Sequence, residues 1–465
     1  MSAAEHQNNK TEIFEIRPIP SALATMAIPT IMSQLITLIY NVADTWFIGQ
    51  TDNPYMVAAS SLVATVFLMT VAISNLFGVG GGSLVVRLLG SKDQDEARKV
   101  ASVSLVMAAG SAAAFSLFCL VFMDPLLQIL GASENTVGYA KQYLFFVVII
   151  GCLPTVLSNT MSAMLRNIGY SKEAAFGLSM GGILNVILDP IFMFVLLPDG
   201  YQVLGAALAT MLSNVAAFLY YVLTYRRVKS STILGFPRRV EKIRKKSMIS
   251  IFYVGVPAAT SLLLYDLTNI VINKLSSSHG DLELAAIGIV LKVERLPLNT
   301  CIGICLGMVP LVAYNYAAKN TKRMKGFFSA ARTAGLVVSL ICLVFYRLCA
   351  PYIISAFISD AETVRLGTQF LQARCFAPPV MFLSFHMVHF MNAVGRGKIS
   401  MWLAVIRQLF LNIPILFVLN ALFGMTGIIW TQVTADILNV IASYVIYSRV
   451  IGAITRETAS AALES

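Results

Sequence analysis

The chain has 465 residues, of which 57% are hydrophobic and only 12% are charged, and its mean hydropathy is +0.76. Soluble globular proteins carry about 25% charged residues, so this composition excludes that class. The net charge of +11 therefore does not indicate nucleic-acid binding. The sequence predicts an all-α polytopic membrane protein.

Twelve apolar segments, numbered 1 to 12 throughout, are long enough to span a bilayer, which needs roughly 20 mostly apolar residues. They cover residues 21–49, 56–86, 100–123, 139–165, 173–197, 203–225, 248–274, 283–317, 326–349, 365–393, 399–420 and 427–447. The residues before segment 1 lack the basic head and apolar core of a cleaved signal peptide. Segment 1 is therefore expected to be the insertion signal.

Basic residues are concentrated in alternate breaks between the segments. These breaks are Arg87 to Lys99, Arg166 to Lys172, Arg226 to Lys246, Lys319 to Lys325, and Arg396 with Lys398. Breaks such as Leu197 to Gln202 have none. The positive-inside rule places both termini and all basic loops in the cytoplasm. The Arg226 to Lys246 loop is interpreted as topogenic, with contact to anionic lipids as the alternative.

The second half of the chain repeats the first. The motif AAxxxV at Ala58 recurs at Ala285. At the same offset, Gly80 recurs as Gly307 and Lys92 recurs as Lys319. Further matches join LRNIGYSK (from Leu165) to MNAVGRGK (from Met391), LNVILDP (Leu184) to LNIPILF (Leu411), GAALAT (Gly205) to GIIWTQ (Gly427), and Pro29 to Pro257.

An even number of helices, six in each half, makes the two repeats parallel in the membrane. We expect two lobes around a central cleft, whose rocking gives alternating access. The predicted organisation is a cytoplasmic N-terminal segment (1–20), an N-terminal lobe (21–225), a basic inter-lobe loop (226–247), a C-terminal lobe (248–447) and a cytoplasmic tail (448–465).

Two carboxylates in the N-terminal half break this symmetry. Asp44 in segment 1 aligns with Ile272, and Asp189 in segment 5 aligns with Ile413 or Leu416, depending on a gap. A carboxylate at membrane depth costs ~3 kcal/mol or more unless it is paired or solvated. The two acids are therefore candidate functional residues.

Helical spacing places polar neighbours beside both acids. Asn41 lies three residues before Asp44, Asn185 lies four residues before Asp189, and Thr210 lies on segment 6. If segments 1, 5 and 6 meet, these side chains offer mainly oxygens to a ligand. Such a site suits Na⁺, a hard cation, and equally a proton shared between two carboxylates. A structural hydrogen-bond network around a bent helix is the alternative.

Several of these motifs together resemble the MATE (multidrug and toxic compound extrusion) family, in its bacterial DinF-like, MepA-like branch. They are NVADTWFIG in segment 1, NVILDPIF in segment 5, GAALAT in segment 6, the loops LRNIGYSK and MNAVGRGK, and PLVAYNYAAKN at the end of segment 8. The resemblance implies a twelve-helix antiporter, without cofactor, that exports organic and often cationic compounds and is driven by Na⁺ or H⁺. It places the coupling site, which is also the candidate Na⁺ site, on Asp44, Asn185, Asp189 and Thr210. The bacterial branch implies a bacterial inner (plasma) membrane, and we expect a monomer.

The C-terminal half also carries intramembrane charges. The candidates for a substrate cleft are Lys292, Glu294 and Arg295 in segment 8, Asp266, Arg407 and Asp436. Lys292 and the Arg407-Gln408 pair resemble the MepA-like pattern, whereas Glu294 and Arg295 depart from it. Ion pairing within the lobe and contact with substrate both remain open. The specific hypothesis is that Glu294 faces the cleft and attracts a cationic substrate, while Arg295 pairs with Asp266.

Two other function classes remain. A flippase for lipid-linked precursors would need Lys292, Arg295, Arg374 and Arg407 to face the cleft unpaired. An intramembrane enzyme is disfavoured, because His386 and His389 have no nearby acid or cysteine to complete a metal site. The seven cysteines lie singly in apolar segments and are interpreted as buried hydrophobic residues.

Overall fold

The structure is a computed structural model that describes residues 12–51, 53–236 and 242–463. Within these ranges the chain is helical and contains no strand. Segments 1 to 3 are Ile19–Gly49, Pro54–Gly90 and Gln94–Val121, segments 5 to 9 are Ser171–Leu196, Gln202–Val228, Lys245–Ser277, Asp281–Ala317 and Thr321–Ser355, and segments 11 and 12 are Gly397–Phe423 and Met425–Leu463. In the described chain these ten helices are each long and apolar enough to cross a membrane.

Segments 4 and 10 are broken helices. Glu134–Ile150 and Cys152–Asn167 form segment 4 and meet at 45°. Segment 10 consists of Ala361–Arg374 and Ala377–Ala393, each too short to cross a ~30 Å core alone. Prolines lie just after both breaks, at Pro154 and at Pro378 and Pro379, and supply no backbone N–H to the preceding turn. The predicted twelve-helix architecture is confirmed with these two interruptions, and a short helix, Met123–Ile129, precedes segment 4.

The turns after segments 2 and 8 have the same backbone conformation. Lys92 and Lys319 both adopt positive φ, at 63° and 58°, which is rare for a residue with a side chain. The next residue caps the following helix: Asp93 Oδ1 accepts from the Glu96 N–H, and Asn320 Oδ1 accepts from the Arg323 N–H. The hydrogen bond from Glu96 also holds the pKa of the Asp93 carboxyl below its usual range, aided by Arg244.

Two further turns match between the halves. Gly169 and Gly395 have φ of 92° and 74°, and Gly200 and Gly424 have φ of 94° and 57°. These left-handed conformations end segments 4, 5, 10 and 11, and glycine adopts them without steric cost. The duplication inferred from the sequence is therefore confirmed in the backbone.

The chain forms two compact units. One contains Met32–Ala259, and the other contains Pro18–Ile31 and Thr260–Ser465. The first parts of segments 1 and 7 thus belong to the opposite unit from the rest of each helix. The sequence predicted lobes divided at the 226–247 loop, and that division does not include this exchange of the first parts of segments 1 and 7.

Close glycine contacts explain the exchange. A Cβ added to Gly255 in segment 7 would lie 2.0 Å from the Leu76 carbonyl oxygen of segment 2. A Cβ on Gly307 in segment 8 would lie 2.6 Å from Cα of Ala27 in segment 1. Segment 7 is further anchored where Glu96 accepts the Arg244 N–H at 2.9 Å.

An apolar cluster in the first unit supports the polar site described next. Ile48 of segment 1, Tyr143 of segment 4, Met193 of segment 5, and Val203 and Ala206 of segment 6 are buried together. This packing brings four segments together beside the predicted acids.

Candidate functional site

Asn185 connects segments 5 and 6. Its Nδ2 donates to Asp189 Oδ1 at 3.3 Å and to Thr210 Oγ1 at 3.2 Å. Asn185 and Asp189 are buried, with 3% and 0% of their surface exposed. The i,i+4 spacing in the sequence produces this arrangement because the helix continues unbroken through Asp189. Pro190 and the π-helical turn Ile191–Leu196 follow directly.

Asp44 joins the cluster through Tyr143 of segment 4. The Tyr143 hydroxyl lies 3.5 Å from Asp44 Oδ2, and it also interacts with Asp189 and Thr210. Asp44 and Asp189 are close enough to repel each other electrostatically. Sequence analysis missed Tyr143, because it is one of 17 tyrosines and no motif or spacing distinguishes it.

Three oxygens of the cluster are shielded from solvent and receive no hydrogen bond. They are Oδ1 of Asp44, Oδ1 of Asn185 and Oδ2 of Asp189. In the described chain neither carboxylate has a basic nitrogen within 4 Å. Buried acceptors normally have donors, and two adjacent carboxylates cannot both remain ionised without a compensating cation. This set of oxygen ligands therefore fits a hard cation or a proton.

Asn41 is placed differently from the other predicted residues. It is exposed, and its Nδ2 donates to the Thr37 carbonyl of its own helix at 2.8 Å. No hydrogen bond joins it to Asp44 or Asp189 in the described chain.

Glu294 is buried, and it is paired with Arg374. Arg374 Nε and Nη2 each donate to a different oxygen of the Glu294 carboxylate, both at 2.8 Å. The two side chains expose only 8% and 2% of their residue surface. The hypothesis that Glu294 attracts a cationic substrate is therefore wrong for this conformation, because Arg374 of segment 10 already neutralises this buried carboxylate.

Arg407 and Asp436 form a second buried pair, between segments 11 and 12. Arg407 Nε donates to Asp436 Oδ1 at 2.5 Å, and Nη2 donates to Oδ2 at 3.1 Å. Gln432 Nε2 also donates to Oδ2, at 2.5 Å. The sequence left open whether these charged residues pair within the lobe or contact substrate. In this conformation Arg407 and Asp436 pair with each other.

Lys292 and Arg295 are exposed, and Asp266 is half-buried. Arg295 interacts electrostatically with Asp266, but no ion pair within 4 Å joins them in the described residues. The predicted Arg295–Asp266 pair is therefore not formed. Lys292 and Arg295 remain accessible charges within an apolar segment.

The remaining candidates have structural contacts. His386 is fully buried, with a ring nitrogen 3.1 Å from the Phe328 carbonyl oxygen, and His389 contacts the Phe385 carbonyl of its own helix. No group of three His, Cys, Asp or Glu side chains in the described residues could hold a metal ion. All seven cysteines are free and at least half-buried.

A family model for MatE matches the chain twice, over residues 29–191 and 257–418. The chain belongs to the MatE family. The two matches coincide with the two halves of the internal repeat. The MATE resemblance found in the sequence is thereby confirmed.

Curated relatives agree with this assignment. The multidrug export protein MepA of Staphylococcus aureus is 31% identical over 435 residues, which is 93% of this chain and 94% of that protein. The protein of the same name from Staphylococcus haemolyticus is 31% identical over 94% of this chain and 95% of its own length. Both relatives are named as export proteins rather than as enzymes.

Solved MATE structures have the same fold. An outward-facing multidrug resistance MATE transporter superposes with a TM-score of 0.89 at 22% identity, over 95% of this chain and 97% of the other. A mutant form of the VcmN transporter of Vibrio cholerae gives 0.87 at 19% identity, over 94% and 97%. Twelve spanning helices in two repeats are therefore the fold of this MatE protein.

Proposed function

We propose that this protein is a secondary active transporter that exports organic, mainly cationic, compounds in exchange for Na⁺ or H⁺. Its relatives in Staphylococcus are multidrug export proteins that match along nearly the whole chain. Two six-helix lobes around a central cleft alternate access to the two sides of the membrane. The protein acts as a monomer in a bacterial inner membrane, with both termini in the cytoplasm.

The observation that carries the coupling proposal is the set of three shielded oxygens without donors on Asp44, Asn185 and Asp189. Thr210 and Tyr143 complete the polar wall around them. A cation bound there neutralises two carboxylates that otherwise repel each other. Release of that cation on one side of the membrane then changes the charge of the site and shifts the balance between conformations.

Na⁺ and H⁺ use this site differently. Na⁺ takes oxygen ligands, and carboxylate, amide and hydroxyl oxygens are all present. A proton instead converts one carboxyl into a donor for its neighbour. Each ion leaves at most one net negative charge among the ligands.

A transport assay in proteoliposomes separates the two ions. Purified protein is reconstituted, and efflux of a fluorescent organic cation is followed under an imposed Na⁺ gradient and then under an imposed pH gradient. We expect one gradient to drive efflux against the substrate gradient. Efflux that neither gradient accelerates would refute cation coupling.

Transport of lipid-linked precursors by a flippase is less well supported. That function needs a cleft with unpaired basic residues, but Arg374 and Arg407 are each bound to an acid. Only Lys292 and Arg295 of the four candidates are exposed. Stimulated flipping of a fluorescent anionic lipid in the same proteoliposomes, without cation efflux, would favour this alternative.

A further inference from the structure

The C-terminal half contains a second copy of the framework around the proposed cation site. Asn412 stands at the offset of the repeat from Asn185, and Gln432 aligns with Thr210 in the GAALAT and GIIWTQ motifs. Asn412 Nδ2 donates to Gln432 Oε1 at 3.2 Å, the same distance at which Asn185 Nδ2 donates to Thr210 Oγ1. The same amide thus links equivalent helices in both halves.

Backbone packing supports this equivalence. A Cβ on Gly205 would lie 2.8 Å from the Phe192 carbonyl carbon, and a Cβ on Gly427 would lie 2.0 Å from the Leu419 oxygen. Phe192 and Leu419 are themselves separated by the same offset as Asn185 and Asn412. Segments 5 and 6 therefore approach each other at the same point as segments 11 and 12.

The two copies differ in how their carboxylates are neutralised. In the N-terminal copy, one oxygen of Asp44 and one of Asp189 receive no hydrogen bond. In the C-terminal copy, both oxygens of Asp436 receive charge-assisted hydrogen bonds from Arg407, and Gln432 and Ser384 contribute further donors. The second copy already contains its own cation.

Arg407 is held firmly in this position. Only 4% of its surface is exposed, and its guanidinium carbon lies 4.7 Å from the centre of the Phe385 ring. It lies in the π-helical segment Ile406–Asn412, where Gln408 Oε1 accepts from Asn412 Nδ2 at 3.1 Å. An arginine does not lose its proton in a protein, so this charge is permanent.

We propose that Arg407 is a tethered cation that fills the C-terminal copy of the cation site and prevents that half from exchanging ions. Ion coupling is then confined to one lobe. The inference deepens the proposed function, since it assumes that the N-terminal copy binds a cation. Removing the arginine should expose a new site for a small monovalent cation, with oxygens from Asp436, Gln432, Asn412 and Gln408.

The test uses the full chain with the N-terminal site silenced by Asp44→Asn and Asp189→Asn. In this background Arg407→Met introduces the residue that the N-terminal half has at the equivalent position, Met180. Thermal unfolding in detergent is measured at constant ionic strength while NaCl replaces N-methylglucamine chloride. We expect Tm to rise by about 1.5 °C for each tenfold increase in Na⁺ above the dissociation constant. Binding of ²²Na⁺ should increase from none to one ion per protein.

Matched controls identify the source of any response. Arg374→Met leaves Glu294 without its partner but lies outside the repeated framework, so it should produce no Na⁺ dependence. Adding Asp436→Asn to the Arg407→Met protein should abolish the dependence, and Arg407→Lys should never acquire it.

Several results would overturn the inference. One is a folded Arg407→Met protein whose Tm and ²²Na⁺ binding do not respond to Na⁺. Another is an Arg407→Met protein that fails to fold at every Na⁺ concentration, whether or not Asp436→Asn restores folding. The unsilenced chain tests the proposed function separately, because there Na⁺- or pH-dependent stability should disappear with Asp189→Asn alone.

Discussion

At the scale of single residues, four of the intramembrane acids have one of two environments. Asp44 and Asp189 have oxygens without donors, whereas Glu294 and Asp436 are bound by arginines through two hydrogen bonds each. An unpaired buried charge is costly, so the first pair needs an exchangeable cation and the second pair does not. We thus propose that Asp44 and Asp189 serve coupling and that Glu294 and Asp436 serve stability.

Replacing Asp189 by Asn should abolish coupling without unfolding the protein. The substitution removes the charge and keeps the shape, so we expect ion-driven efflux to fall by roughly tenfold or more while Tm changes little. Asp44→Asn should act in the same way. Asp199→Asn, in the exposed turn before segment 6, is the control and should transport normally. Wild-type efflux in both site variants would assign the acids to structure.

Removing Arg374 should affect stability rather than ion specificity. Arg374→Ala leaves a buried carboxylate without a partner, which costs about 3–5 kcal/mol, and should lower Tm and folded yield. The double variant Glu294→Gln/Arg374→Met should recover most of this loss, because neither charge remains. Equal Tm values in the single and double variants, measured in detergent, would show that the pair is not what stabilises this region.

At the scale of elements, glycines decide where helices approach closely. Segment 7 packs on segment 2 through Gly255, and segment 1 packs on segment 8 through Gly307. Both contacts involve the part of segment 1 or 7 that precedes or surrounds its proline, Pro29 or Pro257. A Cβ on Gly80 of segment 2, the counterpart of Gly307 in the repeat, would lie 2.3 Å from the Ile251 carbonyl oxygen of segment 7. The recurrence of this glycine therefore reflects a packing requirement.

Gly255→Ala should be destabilising although alanine favours helix formation. Its methyl group would meet the Leu76 backbone, and such overpacking costs about 1–3 kcal/mol. Gly110→Ala is the matched control, because nothing lies within 4 Å of a Cβ there. It should be neutral or stabilise by up to about 1 kcal/mol. A Tm for Gly255→Ala at or above that of Gly110→Ala would contradict the close contact.

At the scale of the whole molecule, orientation in the membrane rests on the distribution of charge. Basic residues fill the breaks after segments 2, 4, 6, 8 and 10, and the turn after segment 5 carries Asp199 without any basic residue. From the positive-inside rule we therefore propose that the Arg226 to Lys246 loop and both termini lie in the cytoplasm.

Cysteine labelling tests the orientation. All seven native cysteines are replaced, and a single cysteine is introduced at Asp199 or at Lys229. A membrane-impermeant maleimide added to intact cells should label the first and not the second, and inverted vesicles should give the opposite result. Labelling of Lys229→Cys in intact cells would reverse the proposed topology.

The sequence by itself determined the twelve segments, the duplication and four of the five residues that meet in the candidate site. These features are local or periodic: an apolar run long enough to span lipid, a residue pair three or four positions apart, or a motif that recurs in the second half of the chain. The repeated left-handed turns at Lys92 and Lys319 confirm that such signals survive in the backbone.

Only the tertiary structure decided which polar groups are neighbours. Tyr143 meets Asp44 across 99 residues, and Arg374 meets Glu294 across 80, and no local pattern encodes either contact. Sequence proximity suggested Asp266 as the partner of Arg295, but no ion pair joins them in the described residues. The acid of segment 8 that is paired is Glu294, and its partner is Arg374 of segment 10. The physical reason is that the cost of burying a charge requires a partner without specifying which one, and helix packing makes that choice.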